Sequence, residues 1–266
     1  MTPAIQLTGV SISYGLAGGG RYDAVAPVDV AIADGAFVSV VGPTGCGKST
    51  LLNVAAGLAA PTTGSAAIYG EPLKGLNGQA GYLFQQDALM PWKSALDNVA
   101  IGLEVKGVTR AEALKQAQDM LVQVGLKAFG DRYPHQLSGG QRKRVALAQV
   151  LVRHPKILLM DEPFGPLDAQ TRLIMGELLS GLWQRDRKAV MFVTHDLDEA
   201  IGLSDRVLIM SAGPQSRIIG DFPIALPRPR DLGEIRNDPV FHRLHRDIWA
   251  VLRDEVRKTY GLTEEA

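Results

Sequence analysis

Phe37-Val38-Ser39-Val40-Val41-Gly42-Pro43-Thr44-Gly45-Cys46-Gly47-Lys48-Ser49-Thr50 governs how the rest of the chain is read. Its first five residues form an apolar run of strand length, and Gly42 to Ser49 matches the phosphate-loop pattern G-x-x-x-x-G-K-[ST] without a mismatch. Glycines let the backbone wrap closely enough for successive N–H groups to converge on phosphate oxygens. The helix that follows adds its positive N-terminal end. In this chemistry Lys48 reaches the β- and γ-phosphates of ATP, and the Ser49 hydroxyl ligates Mg²⁺. Gly42, Pro43, Thr44, Gly45, Cys46, Gly47 and Thr50 complete the expected ATP-binding loop. Cys46 has two readings: backbone dipoles and Lys48 lower its thiol pKa, or it is a small residue that fits the cradle.

Outward from the loop, the pattern alternates strand and helix. Upstream, Ile5, Leu7, Val10 and Ile12 alternate as in an antiparallel strand, glycines between 15 and 20 mark a hairpin tip, and residues 28–32 read as a second strand. Downstream, 50–58 reads as a helix ended by Gly57 and Pro61. Residues 87–152 are helix-rich, with helices over 111–124 and 141–153. Buried strands are expected at 157–160, 190–193 and 207–210, with a helix over 169–185 between the first two. Such alternation implies an α/β fold with a mostly parallel sheet covered on both faces. The expected layout is a phosphate-loop NTPase core spanning 5–237, with an N-terminal antiparallel β subdomain and an inserted helical subdomain at about 87–152. A proline-rich linker then leads to residues 238–266, where Phe241, Leu244, Ile248, Leu252 and Val256 share one face of an amphipathic helix. That helix either packs on its own domain or meets a partner.

Ile157-Leu158-Leu159-Met160-Asp161-Glu162 is a second chemical landmark, an apolar strand ending in two acids. Burying the strand brings Asp161 to the carboxyl edge of the sheet beside the phosphate loop, where a carboxylate can hold Mg²⁺. Glu162 would then accept a proton from the attacking water.

Between these landmarks lies Leu137-Ser138-Gly139-Gly140-Gln141, followed by a helix bearing Arg142, Lys143 and Arg144. It resembles the signature motif of ABC ATPases and stands in the order that family uses. Physically it is another phosphate nest: a hydroxyl, two glycine N–H groups and a helix N-terminus. The resemblance implies that Ser138, Gly139, Gly140 and Gln141 serve ATP bound to a partner copy, in a head-to-tail homodimer. It further implies that Tyr14, or Tyr22 in its place, stacks on adenine; that Gln85 touches Mg²⁺ and the attacking water; that Asp168 carries signals across the dimer; and that His195 contacts the γ-phosphate. The implied catalytic set is Glu162, His195, Gln85 and Lys48, and the implied metal set is Ser49, Gln85 and Asp161.

Within ABC ATPases, Phe84-Gln85-Gln86 with Met90-Pro91-Trp92, the run from Gly165 to Arg172, and Leu226-Pro227-Arg228-Pro229-Arg230 are similar to the nitrate, sulfonate and taurine importers. This implies an ATPase subunit at the cytoplasmic face of the inner membrane, attached peripherally, working with permease subunits and a solute-binding protein. Trp92 would lie near the groove for a coupling helix, unless it is core. Pro166 and Gln149 depart from the pattern: Pro166 stands where a small residue is expected, and Gln149 where arginine is frequent.

Composition narrows the alternatives. Twenty-eight Lys and Arg balance 28 Asp and Glu, so there is no basic excess for nucleic acid. An ABC ATPase acting on nucleic acid would also want a coiled-coil insertion or tandem cassettes, and an exporter motor is commonly fused to a spanning domain. A single cysteine excludes an internal disulfide and fits a reducing compartment. Residues 1–6 lack a signal-peptide pattern, and the apolar runs fall short of the roughly 18–20 residues that span a bilayer. The expectation is a soluble motor that meets the membrane through partners.

Overall fold

The computed structural model describes residues 2–16 and 18–261; Met1, Ala17 of the glycine-rich turn, and residues 262–266 of the tail lie outside them. The alternation near the start forms β1 (Ile5–Gly15), with Ile5, Leu7, Val10 and Ile12 all buried. Its partner β2 (Arg21–Ile32) begins earlier than the apolar pattern alone indicates. Cross-strand bonds extend the ladder there: Ser13 Oγ donates to Asp23 Oδ1 at 2.7 Å, and Arg21 pairs with the same carboxylate. These polar residues hide a strand whose pairing is decided by β1.

β3 (Phe37–Val41) is wholly buried and runs into the phosphate loop. Helix α1 (Lys48–Ala56) begins inside the loop, two residues before the expected start, and stops at Gly57 in the left-handed conformation. β4 (Thr63–Ile68) and β5 (Glu71–Pro72) then complete an antiparallel sheet in the order β2-β1-β4-β5. β6 (Ala80–Leu83) leads into α2 (Ala95–Glu104), α3 (Arg110–Gln123) and α4 (Gly139–Leu151). β7 (Ile157–Asp161), α5 (Ala169–Arg185), β8 (Ala189–Val193), α6 (Leu197–Leu203), β9 (Arg206–Met210), β10 (Ile218–Pro223) and α7 (Pro239–Thr259) follow.

The larger sheet has the order β10-β9-β3-β8-β7-β6, parallel throughout except for β10 at one edge. Three apolar clusters hold the layers. Leu51, Leu52 and Val54 of α1 join the two sheets, and Val99, Leu121 and Leu147 tie the three central helices together. In the third, Phe241, Ile248 and Leu252 of α7 pack on Ile201, Ile209 and Leu226. The C-terminal helix therefore covers its own domain, with about 1.5–3 kcal/mol gained per large side chain buried. The proline-rich segment before it is pinned as well. Buried Arg230 donates to the carbonyls of Ile201, Ser204 and Leu226 at 3.0, 2.6 and 3.0 Å.

Candidate nucleotide site

Parallel register brings the predicted site together. Val40 of β3 and Asp161 of β7 both lie opposite Val193 of β8, while Leu83 of β6 lies opposite Met160. The segments leaving these strands are the phosphate loop, Glu162, His195 and Gln85, so all four emerge at one carboxyl edge. That edge is where open α/β sheets present ligand-binding loops.

The phosphate loop is held from beneath. Gly45 and Gly47 have φ of 79° and 93°, which glycine adopts without strain. A side chain at Gly47 would also strike Val25 Cγ2 at 2.5 Å. Lys48 is buried, and its ammonium donates to the Gly42 and Pro43 carbonyls at 2.9 Å each. The cation is thus tethered within the cradle where phosphates would lie. Cys46 settles on its second reading: it is buried, burial pushes its thiol pKa up, and its sulfur packs where a Gly42 side chain would go. Tyr14 and Tyr22 are cross-strand partners on one face of the hairpin, and both are exposed. A side chain at Gly213 would meet the Tyr22 hydroxyl at 3.5 Å and the Gly45 carbonyl at 3.8 Å, so Tyr22 borders the loop.

Ser49 Oγ donates to Asp161 Oδ1 at 2.7 Å. Burial raises the Asp161 pKa, Ser49 opposes the rise, and nearby Glu162 adds to it. A desolvated carboxylate touching a hydroxyl is a hard-oxygen pair of the kind Mg²⁺ takes when phosphates supply further ligands. Among the described residues there is no group of three His, Cys, Asp or Glu able to cage a metal alone. The Ser49 and Asp161 oxygens fit Mg²⁺ that takes its remaining ligands from a nucleotide. Glu162 has φ of 42°, unusual for a residue with a Cβ, and its N–H donates to Val193 O at 2.9 Å. The left-handed turn redirects the chain just past β7. The Glu162 carboxylate then meets His195 Nδ1 at 3.2 Å and Gln85 Nε2 at 3.4 Å.

Ser138 to Gln141 opens α4 as a capping box: Gln141 N donates to Ser138 Oγ at 3.2 Å, and Ser138 N donates to Gln141 Oε1 at 2.9 Å. A side chain at Gly140 would strike Thr171 Cγ2 at 2.6 Å, and one at Gly139 would meet Leu167 at 3.8 Å. The nest thus leans on the segment carrying Asp168, which caps α5 by accepting from Thr171 N at 3.0 Å and Thr171 Oγ1 at 2.7 Å. These bonds hold the Asp168 carboxyl below its usual range. Nothing from the chain's own phosphate loop comes within 4 Å of a side-chain position at Gly139 or Gly140.

A sequence profile of the ABC transporter family matches residues 25–165. An uncharacterized ABC transporter ATP-binding protein of Methanocaldococcus jannaschii is 45% identical over 91% of this chain and 88% of that protein. The chain belongs to the ABC transporter family. The taurine import ATP-binding protein TauB of Pseudomonas aeruginosa is 43% identical over 91% of this chain and 94% of its own length. A dimeric post-hydrolysis ATP-binding cassette with ADP and Pi superposes with a TM-score of 0.74 at 32% identity, covering 84% of this chain and all of that one. This ABC protein is accordingly an ATPase with the α/β cassette fold.

Two features of this ABC ATPase escaped the sequence reading. Lys143 is buried and donates to the carbonyls of Phe84 and Gln85 at 3.2 and 2.7 Å, beside Asp87. Its signal was present, since Lys143 shares the helix face of buried Ala146 and Leu147. Behind His195, Thr194 Oγ1 donates to Glu199 Oε2 at 2.6 Å, and Arg172 reaches Asp196 at 2.7 Å. Burial pushes the Glu199 carboxyl up to about 7. That acid on a short helix offered no distinguishing pattern. Trp92 is 73% exposed, which removes the core reading.

Proposed function

We propose that this ABC ATPase drives uptake of a small solute, of the taurine, sulfonate or nitrate kind, through separate permease subunits, with two copies closing head to tail on two ATP molecules. The observation that carries it is the placement of the Ser138–Gly140 nest, which packs on Leu167 and Thr171 and has no contact within 4 Å of its glycine side-chain positions from its own phosphate loop. A nest without a phosphate on its own chain calls for a partner's nucleotide.

Each residue then has a task. Backbone N–H groups from Gly45 to Ser49 hold the phosphates, with Lys48 turning from the Gly42 and Pro43 carbonyls to the phosphate charge. The exposed Tyr14–Tyr22 pair offers flat surface to the adenine. Ser49 and Asp161, with Gln85 beside them, hold Mg²⁺, which supplies positive charge to the phosphate oxygens when bound. Glu162 accepts the proton of the water attacking the γ-phosphorus, and ADP leaves in line. His195 and Gln85 orient the Glu162 carboxylate by meeting the same oxygen, Oε2. The partner's Ser138 and Gly140 complete the γ-phosphate shell, and Asp168 relays closure.

A cleft of about 490 Å³ beside α4, lined by Leu58, Leu76, Tyr82, Phe84, Gln149 and Val150, is the proposed seat of the permease helix. Trp92 lies exposed farther along the segment that begins with Phe84. No helix among the described residues is long and apolar enough to cross a membrane. The translocation path is assigned to the permease, fed by a solute-binding protein, with this subunit peripheral at the cytoplasmic face. Light scattering on Glu162→Gln tests the reading: Mg-ATP should convert monomer to dimer. A variant that binds ATP tightly yet stays monomeric, alone and with co-expressed permease, would overturn the two-site arrangement.

A further inference from the structure

Buried cations demand partners, because an unpaired ammonium away from water is costly. Lys48 and Lys143 are the two buried lysines among the described residues, and Lys48 belongs to the phosphate loop. Lys143 has no place in the chemistry assigned so far. Its ammonium donates to two main-chain oxygens, Gln85 O at 2.7 Å and Phe84 O at 3.2 Å, and Asp87 Oδ1 lies 3.0 Å away as an ion-pair partner. Arg142, the preceding residue, places Nε 3.5 Å from the other Asp87 oxygen.

Two of those three oxygens are main-chain carbonyls, so the lysine grips the backbone that carries Gln85. Its side chain is free to point to Glu162, 3.4 Å away. The grip comes from the second turn of α4, whose first turn is the Ser138 nest. Lys143 lies five residues beyond Ser138 along α4, a rise of about 7.5 Å of rigid rod. A cleft of about 430 Å³ lined by Gln85, Asp87, Gly139, Arg142, Lys143 and Leu167 separates the Gln85 segment from the start of α4, and the Lys143 bonds to Phe84 and Gln85 join the two.

We propose that Lys143 is a positioning residue that fastens Gln85 to the signature helix. When the nest of one chain engages the partner's ATP, α4 and Gln85 shift as one body, and Gln85 is set relative to Glu162 of its own chain. Nest occupancy is thereby reported to the catalytic carboxylate through a single ammonium. The proposal rests on the reading of Gln85 as the group that touches Mg²⁺ and the attacking water.

A double-mutant cycle on the full chain tests it, with steady-state hydrolysis of Mg-ATP as the readout. Lys143→Met keeps the apolar stem and removes the donors. Its kcat should fall about 10-fold with KM for ATP changed less than about 2-fold, as expected for a misplaced catalytic group. In a Gln85→Ala background the same replacement should change kcat less than about 2-fold, because there is no glutamine left to place. Equal losses in both backgrounds would mean that Lys143 serves only the fold, and an unchanged kcat in the parent background would also overturn the proposal. If Gln85→Ala alone leaves kcat untouched, the reading of Gln85 fails and takes this proposal with it, an outcome distinct from the other two. Should Lys143→Met not fold, Lys143→Gln, which keeps a neutral donor, enters the same cycle with the same criteria.

Discussion

Glu199 is a buried carboxyl whose titration bears on the region behind His195. It is enclosed by Thr194, Arg172 and Asp196, and desolvation outweighs the opposing bond from Thr194 and charge of Arg172. Its ordinary value is 4.5, and in the folded chain it titrates at about 7. Between those values the folded chain holds the extra proton, so stability is fully present below about 4.5 and declines as pH rises to about 7. Above that window the buried charge costs on the order of 3 kcal/mol. Glu199→Gln should flatten this decline. Denaturant midpoints from about pH 5 to 8 check it: wild type should lose stability relative to the variant, whereas parallel profiles would contradict the assignment. Cys46 teaches the complementary lesson. Loop dipoles alone would favour its thiolate, yet burial against Gly42 raises the thiol instead, and burial is a property of the packed loop.

At the scale of elements, the contact between α4 and α5 is tight enough to predict a rescue. Adding one carbon at Gly140 places it 2.6 Å from Thr171 Cγ2, a methyl on a short branched side chain with little freedom to move. Gly140→Ala should therefore lower ATP hydrolysis by about 10-fold or more by displacing the nest. Thr171→Ser removes that methyl and keeps the hydroxyl that donates to Asp168, so the double variant should recover much of the activity in a kcat assay. No recovery would show that Gly140 is needed for reasons other than space. Elements with apolar runs were legible from sequence: β3, β7, β8 and α5 appear where the pattern indicates. β2 and β6 were not fully legible, since Arg21 and Asp23 are polar and Ala80-Gly81-Tyr82-Leu83 is short. Both owe their strand state to hydrogen bonds with a partner strand: β2 with β1 across the hairpin, and β6 with β7, which is remote in the chain.

At the scale of the whole molecule, α7 closes the β9 and β10 end of the larger sheet. Ile248 is fully buried, so Ile248→Ala should cost about 2–5 kcal/mol, read as a lower midpoint in denaturant. A helix that served only a partner would leave the midpoint unchanged. The phosphate loop, the Asp161–Glu162 pair and the Ser138 nest were readable in the chain as candidates, because residue type and local spacing specify groups that chemistry needs adjacent, whereas His195 was named only through the resemblance to ABC ATPases. Sequence by itself thus determined the family, the cassette fold and the candidate residues. What tertiary structure alone decided is which of those groups touch. Parallel register across β6, β7, β8 and β3 sets Gln85 and His195 on one oxygen of Glu162, and a left-handed turn at Glu162 aims it there. The grip of Lys143 on Gln85, the burial of Cys46 and the raised Glu199 belong to the same class. Each depends on distances between segments far apart in the chain, and those distances exist only once the layers have packed.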